Sequence, residues 1–259
     1  TLSRVTGPLS TLRQRDFGFV WTSIMLVGMG TQMETLVVAW FVLAKTNSPF
    51  LVGLVSSVRL GANFLALFAG ALADRLPRRL IVATAEFAQA GTGLIILILL
   101  VTGALELWHL YTITFLAGTA RIFQMPAAQS LVAVTLPPDR IANGAAFNNL
   151  GRNIAMLLGP LIGGVLFNSF GAKGAYIAIA ALYIMSGWVA LYIRSSGQKI
   201  IEKKDGQVES VFRTMIGGLK DVKSNQILWG TLALALVIES SGWTFHTTLM
   251  PIFARDVLD

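Results

Sequence analysis

Seven apolar runs, each long enough to cross a lipid bilayer as a helix, dominate this sequence. A spanning helix needs about 20 mostly apolar residues. The runs lie at residues 17–44, 50–73, 79–102, 107–135, 141–167, 174–193 and 226–253. Only 13% of the 259 residues are charged, about half the share that a soluble domain carries. The sequence therefore predicts an all-α, polytopic bundle of membrane helices.

The links between the runs divide the chain into parts. Links within the first six runs are short, which makes consecutive helices antiparallel neighbours. One long, charged link precedes the seventh run. We predict a six-helix transmembrane part at residues 1–194, a central loop at 195–225 and the first helix of a second half at 226–259. The chain begins with Thr1 and ends in what reads as a loop, so we expect a fragment of a longer protein.

Basic residues fall mainly on one side of the predicted bundle. Of the 20 Lys and Arg residues, 14 lie on one side: at the N-terminus, in the links after the second, fourth and sixth runs, or, for Arg79, at the first position of the third run. Because cytoplasmic links are enriched in Lys and Arg, we expect a cytoplasmic N-terminus and central loop in a cell inner membrane. Topology accounts for the net charge of +7, so nucleic acid is not an expected partner.

The residue types present exclude several kinds of site. The chain has no cysteine, which excludes disulfides, thiolate metal sites and cysteine nucleophiles. Its two histidines, His109 and His246, are far apart and near predicted helix ends, so no metal site is expected. We expect no cofactor and no catalytic residues. A membrane enzyme, the first alternative, would need a catalytic constellation that the sequence does not contain.

Charged residues inside the apolar runs point to a polar interior. Such groups are costly in hydrocarbon and normally face a bundle interior or a water-filled cavity. Spacings of three or four residues place polar partners on the same helix face. We predict a cavity for substrate or proton coupling lined by Glu34, Arg59, Asn63, Arg121, Gln124, Asn148, Arg152 and Glu239. The alternative is a set of interhelical salt bridges that only fix packing, which is the role we expect for Glu86.

Two prolines lie inside predicted helices. Pro126 and Pro160 each remove a backbone hydrogen bond and should bend their helices. Pro160 is followed by a pair of glycines in Gly159-Pro160-Leu161-Ile162-Gly163-Gly164. Small residues of this kind let a second helix approach closely, so we expect a tight helix contact here.

The link after the second run carries a recognisable motif. It reads Gly70-Ala71-Leu72-Ala73-Asp74-Arg75-Leu76-Pro77-Arg78-Arg79. This stretch resembles the loop signature G-x-L-A-D-R-x-G-R-[KR] of the major facilitator superfamily, with Pro77 where that family usually has Gly. Gly159, Pro160, Gly163 and Gly164 are similar to the core of the family's antiporter signature in the fifth helix, although Ala155 stands where Gly is usual.

The fourth run narrows the resemblance. Arg121, Phe123, Pro126 and Ala127 resemble the efflux subgroup of macrolide and enterobactin exporters. The resemblance implies twelve helices, of which this chain holds the first half and helix 7. It also implies export of a small, amphipathic drug or siderophore-like molecule by alternating access, with protons as the counter-ion.

Within the resemblance, the motif residues have an implied role. Asp74 with Arg75, Arg78 and Arg79 would form a cytoplasmic gate that latches onto the second half of the same protein. The other expected partners are a small-molecule substrate and the lipid bilayer. A lipid, lysophospholipid or other metabolite transporter of this fold, and a non-transporting receptor or scaffold, are the remaining alternatives.

Overall fold

A computed structural model describes residues 11–62, 76–195 and, near the C-terminus, residues 229–231, 233, 234 and 237. The chain divides into two compact units, Thr1–Gln198 and Lys199–Asp259. In the second unit the described residues are helical and fall within the predicted seventh run. The remaining description concerns the first unit.

Regular structure in the described part of the first unit is entirely helical. The elements are α1 (Arg15–Thr46), α2 (Pro49–Gly61), α3 (Arg78–Thr102), α4 (Leu107–Val134), a 3₁₀ turn (Pro138–Arg140) and α5 (Ile141–Leu191). Residues 63–75 of the predicted second run lie outside the described residues. The bounds of α1, α3 and α4 differ from the predicted runs by one or two residues.

Length and composition mark three of these helical stretches as membrane spans: Arg15–Thr46, Arg78–Thr102 and Pro138–Leu191. Helix α4 is 28 residues long, which also exceeds the length that a bilayer requires. The glutamines and Arg121 of α4 make it less apolar than the other three stretches. The all-α membrane fold predicted from the sequence is confirmed.

Helix ends are set by residues that suit them. Asn47 ends α1 and Gly103 ends α3, both with positive φ, and each backbone N–H returns to a carbonyl of the last turn. Glycine and asparagine adopt this left-handed conformation most readily. At the start of α4, the Glu106 side chain and His109 cap each other's backbone N–H groups.

The sequence predicts a six-residue link at 168–173, but the structure has a single non-helical residue there. Helix α5 combines the fifth and sixth predicted runs, and its one interior residue with non-helical dihedrals is Gly171, at φ 67° and ψ −173°. The six-residue loop was therefore a wrong prediction, since a single glycine makes the break. A residue with a Cβ would be strained at this φ.

Helix α1 packs against both parts of α5. Along the part before Gly171, contacts rise together with residue number: Gly28 lies against Ala155, and Trp40 against Phe167. These two stretches are therefore parallel. Along the part after Gly171 the order reverses, because Phe19 stacks on Tyr192 and Thr31 meets Tyr183. The chain thus turns back at Gly171 and encloses α1 from two sides.

The expected tight helix contact forms at the Gly159 motif. A Cβ added at Gly159 would lie 2.7 Å from the Gln32 Cβ, and one at Gly163 would lie 3.2 Å from the Met33 Cα. The partner is α1, whose backbone could not approach so closely past larger side chains. Pro126 and Pro160 lie inside α4 and α5, and neither interrupts the helical dihedrals.

Candidate functional site

A partly buried ion pair joins α1 to α2. Arg59 Nη2 lies 3.3 Å from Glu34 Oε2, and Arg59 Nη1 also donates to Thr35. The Glu34 side chain is 2% exposed and that of Arg59 is 25% exposed. A carboxylate so removed from water requires a paired cation or hydrogen-bond donors. The pair therefore accounts for two charges that the sequence places in the apolar phase.

Helix α5 contributes a tyrosine to the same carboxylate. The Tyr183 hydroxyl donates to Glu34 Oε2 at 2.8 Å and lies 3.4 Å from Thr31 Oγ1. Its ring packs against Gly30, where an added Cβ would lie 2.8 Å from the ring. Glu34 Oε1 is buried without a hydrogen-bond partner among the described residues. One carboxylate oxygen is thus held by two helices, and the other has capacity for a proton or a further donor.

A second buried carboxylate lies on α3. Glu86 is fully buried and accepts hydrogen bonds from the Ser23 hydroxyl at 2.7 and 3.0 Å and from Gln124 Nε2 at 3.3 Å. Ser186, which donates to the Ser23 carbonyl at 2.9 Å, completes the group. Glu86 therefore ties α3 to α1 and α4. This agrees with the packing role expected for Glu86, although its partners are hydrogen-bond donors and not a cation.

Four of the residues predicted from the sequence line one cavity. It has a volume of about 70 Å³ and is partly open to solvent. This is smaller than a typical small-molecule site, which holds roughly 300–1,000 Å³, so the cavity would accommodate only part of a ligand. The lining residues come from α1, α3, α4 and α5: Ile24, Val27, Gly28, Thr31, Gln89, Arg121, Gln124, Met125, Ala128, Gln129, Asn148 and Arg152. Two residue pairs whose spacing places them on one helix face lie in this wall: Arg121 with Gln124, and Asn148 with Arg152.

Two residues of the cavity wall connect it to the two buried carboxylates, Glu34 and Glu86. Thr31 lines the cavity and meets Tyr183, which binds Glu34. Gln124 lines the cavity and donates to Glu86. Both carboxylates are therefore within two hydrogen-bonded steps of the space that a ligand would fill.

Close packing of α4 on α2 positions the first cavity arginine. A Cβ at Gly118 would lie 3.1 Å from the Ala62 Cβ and 3.4 Å from the Arg59 carbonyl oxygen. Arg121 follows one turn later on the same helix face.

The basic motif is described only in part, because Gly70, Asp74 and Arg75 lie outside the described residues. Arg78 donates to Ser130 on α4, and Arg79 Nη1 donates to the Ile193 carbonyl at 2.9 Å, just beyond the end of α5. Cations near a helix C-terminus bind its unpaired carbonyl groups. Both arginines are thus engaged within the first unit.

Some site residues were missed from the sequence, and others lie outside the described residues. Asn63 and Glu239 belong to the second group. Tyr183, Ser23 and Ser186 were missed because tyrosine and serine are ordinary residues in an apolar run. A spacing signal was present, since Tyr183 and Ser186 are three residues apart and share a face of α5.

Known proteins resemble this chain over most of its length. A model of the transmembrane secretion effector family matches residues 6–259. The uncharacterized MFS-type transporter YkuC of Bacillus subtilis (strain 168) is 29% identical over 189 residues, which are 72% of this chain and 43% of that protein. Multidrug resistance protein MdtG of Proteus mirabilis (strain HI4320) is 28% identical over 193 residues, covering 74% of this chain and 44% of the relative.

A further relative gives similar coverage. Multidrug resistance protein MdtG of Enterobacter lignolyticus (strain SCF1) is 27% identical over 207 residues, covering 79% of this chain and 46% of the relative. The chain thus spans less than half the length of these curated relatives.

Proposed function

Because the chain belongs to the transmembrane secretion effector family of the major facilitator superfamily, we propose that it is the substrate-binding first half of an exporter. The whole protein, a multi-pass membrane protein, would move a small, amphipathic molecule out of the cell by alternating access. The relatives named for multidrug resistance support a drug or drug-like substrate.

The cavity between α1, α3, α4 and α5 carries this proposal. Its wall combines apolar groups such as Ile24 and Met125 with the guanidinium groups of Arg121 and Arg152. Small-molecule sites are typically apolar with a few convergent polar groups that fix the orientation of the ligand. An amphipathic molecule would contact both the apolar and the charged groups of this wall. Its transport would begin with binding in this cavity.

Glu34 is the proposed coupling group. It is buried, paired with Arg59 and bonded to Tyr183, and its second oxygen has no donor among the described residues. Proton uptake by Glu34 would weaken the ion pair and allow α1 and α2 to separate. In antiport this step would accompany substrate release. Glu239 is the second candidate for this role, by sequence alone.

The basic motif is the proposed gate on the cytoplasmic side. Arg78 and Arg79 bind groups on α4 and beyond α5, which would hold the loop in place. Asp74 would then pair with the second half of the protein when the inner side closes, because a carboxylate is stabilised at a helix N-terminus or beside an arginine. The charge bias toward this side supports a cytoplasmic N-terminus.

A growth-protection and accumulation assay tests the function. The whole protein would be expressed in cells deprived of their own exporters, and a panel of drugs, siderophores and lysophospholipids would be applied. Export predicts protection by the protein and lower cellular accumulation of at least one compound class. Protection confined to lysophospholipids would instead identify a lipid transporter, and unchanged accumulation of every compound would favour a receptor or scaffold.

A further inference from the structure

The cavity wall has an unbalanced charge. Arg121 and Arg152 both line it, and none of the twelve lining residues is acidic. In residues 11–62 and 76–195, ion pairs join Arg59 to Glu34 and Arg140 to Asp139. Neither cavity arginine takes part in one. A guanidinium stays charged in proteins, so both arginines bring a positive charge to this space.

Neighbouring groups leave that charge uncompensated. Glu34, a carboxylate of α1, is already paired with Arg59. Glu86, the other nearby carboxylate, accepts hydrogen bonds from Ser23 and Gln124 and is fully buried behind the wall. Counting only residues 11–62 and 76–195, three guanidinium groups thus lie with two carboxylates in this part of the bundle. Arg121 is only partly exposed, and because an unpaired charge inside a membrane protein is costly, a ligand of opposite charge would offset it.

We infer that the cavity binds an acidic group of the transported molecule, a carboxylate, phosphate, phosphonate or sulfonate, through Arg121 and Arg152. This inference rests on the proposed function, which it narrows to anionic amphipathic substrates. Arginine binds planar and tetrahedral oxyanions with two parallel hydrogen bonds, stronger than those between neutral groups. Gln129 adds an exposed amide donor to the same wall. Ile24 and Val27 would contact the apolar part of the ligand.

Two sources could supply such a group: a soluble organic acid or the headgroup of an anionic lipid. The chemistry at the arginines is the same for both. They differ in their route, because a lipid competes from the bilayer and an organic acid from water. An experiment can therefore separate them by changing the lipid alone.

A matched pair of probes tests the charge preference. Naphthoate and its uncharged amide, naphthamide, have nearly the same shape and differ by one negative charge. Their binding to the whole protein would be measured calorimetrically in phosphatidylcholine nanodiscs. We expect naphthoate to bind at least about tenfold more tightly than naphthamide, the usual effect of a charged hydrogen bond.

Substitutions of the two cavity arginines test whether the cavity causes the preference for naphthoate. Arg121→Gln and Arg152→Gln should each weaken naphthoate binding about tenfold and leave naphthamide binding within about twofold. Arg152→Lys should retain part of the preference because it keeps the charge. Arg140→Gln, which removes a cation from the 3₁₀ turn outside the cavity, is the matched control and should change neither. Thermal melting of each variant reports whether it folds.

The outcomes separate the inference from the proposed function. Equal affinity for the two probes, binding of neither, or a preference that survives both glutamine variants would overturn the inference. If the protein still exports a compound in the accumulation assay, the proposed function stands without the charge preference. Competition by phosphatidylglycerol in the nanodisc would assign the acidic group to a lipid, and its absence would assign it to a soluble acid.

Discussion

Tyr183 donates a 2.8 Å hydrogen bond to Glu34 across 149 residues of sequence. The same Glu34 oxygen pairs with Arg59 at 3.3 Å. The tyrosine therefore orients the carboxylate toward its cation, and the second half of α5 is attached to α1 at the depth of the ion pair. The uncharged Tyr183 hydroxyl therefore helps to fix the geometry of the proposed coupling site.

A pair of tyrosine variants tests that relationship. Tyr183→Phe removes a buried donor and should destabilise the protein by about 1–2 kcal/mol. Tyr176→Phe is the matched control, because Tyr176 is equally buried and its hydroxyl has no hydrogen-bond partner among the described residues. Loss of the Tyr176 hydroxyl should leave the free energy of unfolding unchanged or raise it slightly. Thermal melting in detergent measures both, and equal melting temperatures for the two variants would contradict the role of Tyr183.

The ion pair itself should behave as a coupled unit. Arg59→Gln leaves the buried Glu34 without its cation, which in soluble proteins costs about 3–5 kcal/mol. Adding Glu34→Gln to that variant should restore part of the stability, since neither residue is then charged. A double-mutant cycle on melting measures the coupling. Additive losses would show that the two side chains do not depend on each other.

Proton coupling gives a separate prediction for the carboxylates. If Glu34 carries the exchanged proton, Glu34→Gln should abolish accumulation driven by a proton gradient in proteoliposomes of the whole protein, while facilitated equilibration of substrate continues. Glu239→Gln is the alternative candidate and should be compared in the same assay. Intact gradient-driven transport in both variants would reject the two candidates.

The glycines of α5 predict a graded response to alanine. At Gly163 the new methyl group would lie 3.2 Å from the Met33 Cα, a backbone atom that cannot move alone. At Gly164 the nearest atom is the end of the Leu36 side chain, at 3.6 Å. Gly163→Ala should therefore destabilise by about 1–3 kcal/mol. Gly164→Ala should be neutral or stabilise, by up to about 1 kcal/mol, through helix propensity. Equal effects on the midpoint of denaturation would contradict the packing of α1 on α5.

The proposed gate is tested by removing one charge. Asp74→Asn should impair export by the whole protein without reducing the amount inserted in the membrane, because Asp74 adds nothing to the basic bias that orients the chain. Transport in vesicles and membrane abundance by immunoblot measure the two effects. Normal export by this variant would reject a gate built on Asp74.

Apolar run length and charge position predict much of this fold. Runs of spanning length gave the helices within a few residues for α1, α3 and α4, because hydrocarbon requires a continuous hydrogen-bonded helix. The break at Gly171 was not predictable from composition, since a polar stretch such as Asn168-Ser169 reads as a loop.

Charged residues in apolar runs likewise located most of the candidate site. Arg121 and Arg152 have few other places to lie than a polar interior, and both line the cavity. Which carboxylate pairs with which arginine depends on helix rotation, and spacing along one helix carries no information about that. Glu86 illustrates the limit: the sequence suggested a salt bridge, whereas uncharged Ser23 and Gln124 bind it inside the bundle.

The enclosure of α1 by the two parts of α5 also sets the order in which the bundle can be assembled during synthesis. At about 5–20 residues per second, a ribosome needs roughly 7–30 s to go from Glu34 to Tyr183, which lie 149 residues apart. Arg59, only 25 residues after Glu34, is made within the first few seconds. Both residues of the ion pair are therefore synthesised long before Tyr183, which orients the carboxylate. Helices α1 and α2 can thus enter the membrane with their two charges already paired, and Tyr183 joins the site later.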